Sequence, residues 1–245
     1  MTAMFEKMVG EIAAEIPGSA QVFKNHHIDY CRGGKRPLRD ACRVVGVNAD
    51  QIEAEILEAS EAPGAAVPRG WRAESLNELI RYIVEVHHSY LQSKLPSLGR
   101  VIANLGDFRG TRHQERLPLR RALARLIVEL PAHMQKEEAV LFPAILRLEQ
   151  AVNAKEALPT SLFGSVRNPI WMMEQEHNAM ASILSEIRTL TGDYALRDQD
   201  CEMFRVLSQA LQPLETDLHE HIHIENNILF PRAMQLEALL NEKPK

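Results

Sequence analysis

The sequence predicts an all-α chain: a small helical N-terminal domain, then an up-down-up-down four-helix bundle. Three observations carry this. Four long stretches repeat apolar residues at alternating spacings of three and four, the period of a helix face, with no strand alternation between them. Aromatic residues are only 5% of the 245, while Leu, Ala, Glu and Arg abound, which favours helices over sandwiches and barrels. The gaps GDFRGTRHQE, ALPTSLFG and TGDYALRDQD are polar or hold breakers, as connections between antiparallel helices do.

In chain order, residues 1–62 hold short helical patterns, clearest at 9–16 and 48–59, with the Gly/Pro-rich CRGGKRP between them. A segment of that size is marginal alone and leans on a partner or on the rest of the chain. Residues 62–70, APGAAVPRG, contain two prolines and two glycines and suit a linker. The expected division is therefore a cysteine-containing N-terminal domain at 1–62, a linker at 63–71 and the bundle at 72–245. Its helices are expected at 74–105, 117–149, 166–191 and 200–240.

Charge and composition exclude several function classes. With 33 Asp+Glu against 28 Lys+Arg the net charge is −5, which argues against a dedicated binder of nucleic acid or anionic membranes. No apolar run approaches the ~18 residues of a membrane span. The opening MTAMFEKMVGEIAAEI has early acids and no long apolar core, unlike a secretory signal. Three cysteines, Cys31, Cys42 and Cys201, cannot all pair, so a cytoplasmic setting is expected.

The seams of the four helices carry the chemistry. The first runs Val84, His88, Leu91, Leu95, Leu98, Ile102, Leu105, and the second Leu123, Leu126, Leu130, His133, Glu137, Val140, Ala144. The third runs Val166, Ile170, Met173, His177, Met180, Leu184, Ile187. The fourth runs Phe204, Leu207, Leu211, Leu214, Leu218, His221, Glu225, Ile228. A core histidine bonded to a carbonyl would explain any one of these imidazoles. Four at similar depth with two glutamates need a common partner, because buried unpaired polar groups are costly. A metal centre is the simplest one.

The spacing sharpens this. His133-Met-Gln-Lys-Glu137 and His221-Ile-His-Ile-Glu225 each stack His and Glu one turn apart, about 6 Å, on one face. HMQKEEAVLFP and HIHIENNILFP are copies, and His88 precedes His133 by nearly the separation between His177 and His221. The bundle therefore reads as two similar hairpins supplying four His and two Glu, enough for two ions bridged by both glutamates. Imidazole with carboxylate suits iron, manganese or zinc, and the excess of histidine favours two irons with an oxo or hydroxo bridge.

Neighbouring residues are assigned more modestly. His87 lies one position off the seam and is the alternative to His88. His219 and His223 fall on outward positions, in solvent or placed to orient a ligand, and Glu138 is expected to face solvent. Glu129, four before His133, and Glu176, beside His177, are acids placed to orient a ligand or move protons, or are ordinary surface charge. Pro131 is expected to kink the second helix just before its ligands.

With HMQKEE…LFP, EQEH and HIHIENNILFPRA in view, the bundle resembles a hemerythrin-like domain. FKNHHIDYCRGGKRPLRDAC resembles the small cysteine-containing domain that precedes it in the repair of iron centres (RIC) family of iron–sulfur cluster repair di-iron proteins. Both halves match in order. The resemblance implies a cytoplasmic non-haem di-iron protein of the nitrosative and oxidative stress response. It would support repair of damaged iron–sulfur clusters and bind nitric oxide or reduce it to nitrous oxide, or act mainly as an iron donor. The alternative is a reversible oxygen or nitric oxide carrier or sensor without turnover. Implied partners are nitric oxide or oxygen, iron–sulfur client proteins and an unidentified electron donor, with a homodimer among the assemblies to expect. The family's four His and two Glu map onto His88, His133, Glu137, His177, His221 and Glu225. Where the family carries adjacent cysteines this chain reads Cys31-Arg32, so the vicinal pair is gone. Cys31 alone is the redox candidate, amid Arg32, Lys35 and Arg36, whose charge should favour its thiolate.

Overall fold

A computed structural model describes residues 4–62, 70–71, 73–105, 113–157, 164–196 and 202–242. Most of the expected linker, Cys201 and parts of all three gaps lie outside them. The fold is all-α, a small N-terminal helical region followed by a helical bundle, and no helix among the described residues is long and apolar enough to cross a membrane.

The N-terminal region has α1 (Val9–Glu15), α2 (Ser19–Asn25), α3 (Leu38–Val45) and α4 (Ala49–Glu61). Sequence periodicity finds α1 and α4 but not α2 and α3, which are too short to show a period. Their ends are fixed locally. Asn48 caps α4 by accepting from the Asp50 and Gln51 amides, and Gly46 closes α3 with φ of 75° in the left-handed region. Val9, Ile12, Phe23, Leu38, Ile52 and Ile56 are buried together with Ile222. Burying each such side chain contributes roughly 1.5–3 kcal/mol.

The bundle helices are interrupted. The first run is α5 (Leu76–Tyr82), a π turn (Ile83–His88) and α6 (Ser89–Leu105). The second is α7 (His113–Lys136), a π turn (Glu137–Leu141) and α8 (Phe142–Ala154). The third, α9 (Arg167–Thr191), has no π turn, and the fourth is α10 (Glu202–Ile224), a π turn (Glu225–Leu229) and α11 (Phe230–Asn241). Pro131 lies inside α7, and the departure from α geometry comes after it, at Glu137.

Two compact units result. One comprises Met1–Leu79, Leu148–Pro159 and Glu220–Lys245. In it the Glu149 carboxylate accepts from the Leu76 and Asn77 amides at 2.6 and 3.0 Å, stabilising the start of α5. Arg232 donates to the Trp71 and Glu74 carbonyls, each at 2.6 Å. The other unit comprises Ile80–Arg147 and Thr160–His219, with a core of Leu91, Leu123, Leu126, Ile183, Leu207 and Leu211 among others.

Candidate metal centre

Each π turn adds one residue to its helix turn and rotates the succeeding residues by about 100°. In the two repeats the turn begins at the seam glutamate, and the amide closing it, Phe142 or Phe230, donates to the carbonyl of Glu137 or Glu225. The Leu-Phe-Pro ending suits this. Pro143 and Pro231 have no N–H, and each sits at the start of a new α segment, where none is needed. The extra residue overturns part of the second seam. Val140 is exposed and Ala144 half-buried, while Leu141, Ile145 and Leu148 take the buried face.

All six seam residues singled out for a metal are buried, none above 1% exposed. They form two sets, within each of which the ligand atoms all lie within 4.8 Å of one another. One is His88, Glu137, His221 and Glu225, the other His133, Glu137, His177 and Glu225. Both glutamates belong to both sets, and each set has one histidine from each hairpin. Exchanging the hairpins turns one set into the other, as the sequence repeat requires.

The inward atoms are the Nε2 nitrogens. His133 Nε2 lies 3.1 Å from Glu137 Oε1, His88 Nε2 3.4 Å from Glu137 Oε2, and His221 Nε2 3.1 Å from Glu225 Oε1. His177 Nε2 is 3.1 Å from His133 Nε2. The outer nitrogens of two imidazoles face carboxylates. His88 Nδ1 is 2.7 Å from Glu138 Oε1, and His133 Nδ1 is 3.0 Å from Glu176 Oε2. An Nδ1–H donated to a carboxylate fixes the tautomer that presents Nε2 to a metal and raises its basicity. Phe142 stacks on His88 with centroids 5.8 Å apart.

Of the neighbouring residues, some fall on one of the alternatives open in the sequence and others depart from expectation. Glu138 is a partner of His88 rather than a purely solvent-facing acid. Glu176 is lowered to about 2, first by the hydrogen bond from His133, against the opposing effect of burial, with Lys136 adding to the drop. It is thus a carboxylate at neutral pH, an acceptor that orients. Glu129 pairs with Arg125 at 3.6 Å on the exposed face of α7, and His133 takes Glu176 instead. His87 belongs to neither set. It is buried, 2.9 Å from Asp217, with its ring edge-on to Tyr82. His223, expected in solvent, is buried against Tyr30 and Asn227, and His219 is half-buried.

Cys31 is buried at 5% exposure. Burial raises its thiol well above the ordinary value, Asp29 pushes the same way, and Lys24 and Arg32 only partly offset them. The charge argument for a favoured thiolate is therefore outweighed by desolvation. Cys42 is buried as well.

The donor set fits a pair of metals. Two carboxylates without solvent exposure, grouped with imidazole nitrogens in sets that hold no thiol among the described residues, match hard-to-borderline divalent or trivalent ions. The two His/Glu clusters are metal-binding sites consistent with a non-haem di-iron centre. The chain matches two family profiles: the Hemerythrin HHE cation binding domain over residues 79–233, and ScdA_N, a domain of unknown function (DUF542), over 5–60. It is 31% identical over 229 residues to iron-sulfur cluster repair protein YtfE of Yersinia pestis strain Pestoides F, covering 94% of this chain and 97% of the relative. The YtfE protein of Yersinia pseudotuberculosis serotype O:1b matches to the same extent. The chain belongs to this YtfE/ScdA-type family of iron–sulfur cluster repair proteins with a hemerythrin-like domain.

Proposed function

We propose that the protein is a di-iron protein of the nitrosative and oxidative stress response that supports repair of damaged iron–sulfur clusters and reduces nitric oxide to nitrous oxide. The carrying observation is that Glu137 and Glu225 belong to both ligand sets, as suits two ions held side by side. In this reading His88 and His221 would hold one ion and His133 and His177 the other, with Glu137 and Glu225 available to both. The cluster-repair part comes from the relatives' names, and the family matches at 5–60 and 79–233 support a division into 1–62, a linker at 63–71 and 72–245. A cytoplasmic setting accompanies both.

Two ferrous ions held there would supply two electrons and adjacent open positions for joining two nitric oxide molecules, with two protons taken up and water released. The chain's own residues prepare the site. Glu138 and Glu176 hold the His88 and His133 rings with Nε2 inward. Phe142 stacks on His88, and Leu130 and Met134 are buried within three residues of His133, apolar cover that helps keep bulk water out. Glu176, part-exposed and paired with Lys136 at 2.5 Å, connects His133 to the surface.

The test is iron content followed by gas analysis of the reduced protein under excess nitric oxide. Two irons per chain and nitrous oxide formation are expected. Two irons with no nitrous oxide, and reversible oxygenation of the reduced protein, would replace turnover with carriage.

A further inference from the structure

The second repeat is held by something the first lacks. Asn226 and Asn227 follow Glu225 directly, inside its π turn. Asn227 Nδ2 lies 3.0 Å from the Tyr30 carbonyl, 3.1 Å from the Cys31 carbonyl and 3.0 Å from His223 Nδ1. Asn226 Nδ2 donates to the same Cys31 carbonyl at 3.3 Å. Two glycines make room. A Cβ on Gly34 would overlap Asn227 Oδ1, and one on Gly10 would lie 2.5 Å from it. Gly10 is in α1 and Gly34 in the short turn Gly33–Lys35. The amide therefore sits in a cradle that any larger residue at either glycine would close. In the first repeat the corresponding residue is Ala139, which has no amide and is exposed.

We propose that Asn227 is a positioning residue: the Tyr30–Gly34 segment and α1 of the N-terminal region grip it, fix the π turn that carries Glu225, and thereby set how readily the centre gives up iron. The proposal rests on the di-iron reading above. Glu225 is a member of both ligand sets, so motion of its turn loosens both positions at once. An iron donor needs such a place, and it lies where the N-terminal region can release the turn by withdrawing from one side chain.

The experiment measures iron transfer from the full-length, reduced holoprotein to ferrozine, with absorption and mixed-valence paramagnetic resonance spectra of each variant. Asn227→Asp keeps the shape that fits the glycine cradle but cannot donate. Asn227→Ala removes the amide, and Gly34→Ala drives a methyl into it. Each should load two irons and release them about tenfold faster, as expected for losing hydrogen bonds to buried carbonyls. The resonance signal should shift, because Glu225 moves. The double variant Asn227→Ala/Gly34→Ala should release no faster than Asn227→Ala alone, since the methyl then meets no amide. Unchanged release and spectra in Asn227→Asp, with melting of apo- and holoprotein lowered equally, would overturn the proposal and leave the contact as packing. If Asn227→Ala fails to fold, Asn227→Asp decides. Failure of the unaltered protein to load two irons would count against the metal reading, a separate result.

Discussion

HMQKEEAVLFP and HIHIENNILFP are one device built twice, yet finished differently. Both present a histidine, a glutamate one turn later, a π turn starting at that glutamate, and Leu-Phe-Pro to resume the helix. After the glutamate they diverge. Glu138 accepts from His88, one of the six clustered residues, whereas Asn226 and Asn227 donate to backbone carbonyls of the N-terminal region. The shared letters specify the metal chemistry. The divergent letters specify what holds each copy still: a neighbouring imidazole in one case, another part of the chain in the other.

The largest effect should ignore that divergence. Glu137→Ala and Glu225→Ala each remove a member of both sets, so each should cost the protein both irons and the near-ultraviolet bands of a bridged pair. His88→Ala touches one set only and should leave the other ion in place. Metal analysis of the purified variants checks this. A Glu225→Ala protein that keeps one iron would break the equivalence of the repeats and show that only Glu137 bridges.

Stability should then expose the difference. Val140 and Ile228 occupy the same place in the two copies, but Val140 is 43% exposed and Ile228 2%. Ile228→Ala should cost about 2–4 kcal/mol, as truncation of a buried aliphatic does, and Val140→Ala no more than about 0.5 kcal/mol. Urea unfolding of the metal-free variants measures both without the contribution of ion binding. Equal costs would mean that both copies are covered alike.

The same contrast shows what could be read in the sequence. All seven third-seam residues, from Val166 to Ile187, are buried as expected, because α9 keeps a regular α period throughout. The second seam holds as far as Glu137 and then shifts by one position, from Val140 to Leu141, because no periodicity argument anticipates an inserted π residue. The repeated LFP was the available clue, since a proline four positions beyond a helical carbonyl needs some such accommodation. The six converging residues were legible because polar groups at seam positions stand out against Leu and Ile. Glu138 was not, since it lies off the seam and meets His88 only through the fold. His223 was missed because what buries it, Tyr30, is far away in sequence. The glycine cradle around Asn227 is likewise a contact over long chain separation, invisible to any local pattern.

The smallest expected effect sharpens the comparison at a single side chain. Glu138→Asn writes the second repeat's residue into the first and removes the carboxylate 2.7 Å from His88 Nδ1. Loss of such a partner lowers metal affinity by about 10–100-fold, through a less basic and less fixed imidazole. Competition with a chelator of known affinity should therefore show one weakened iron, with the position at the His133 and His177 set less affected, since Glu176 still pairs with His133. Glu138→Gln should fall at the low end, because its amide oxygen can still accept although the charge is gone. Stability of the metal-free protein should barely move, as the Glu138 side chain is 38% exposed. If Glu138→Asn instead bound both irons as tightly as the unaltered protein, the carboxylate would be a surface charge that happens to lie near His88, and the two repeats would differ only in what the N-terminal helices do to the second.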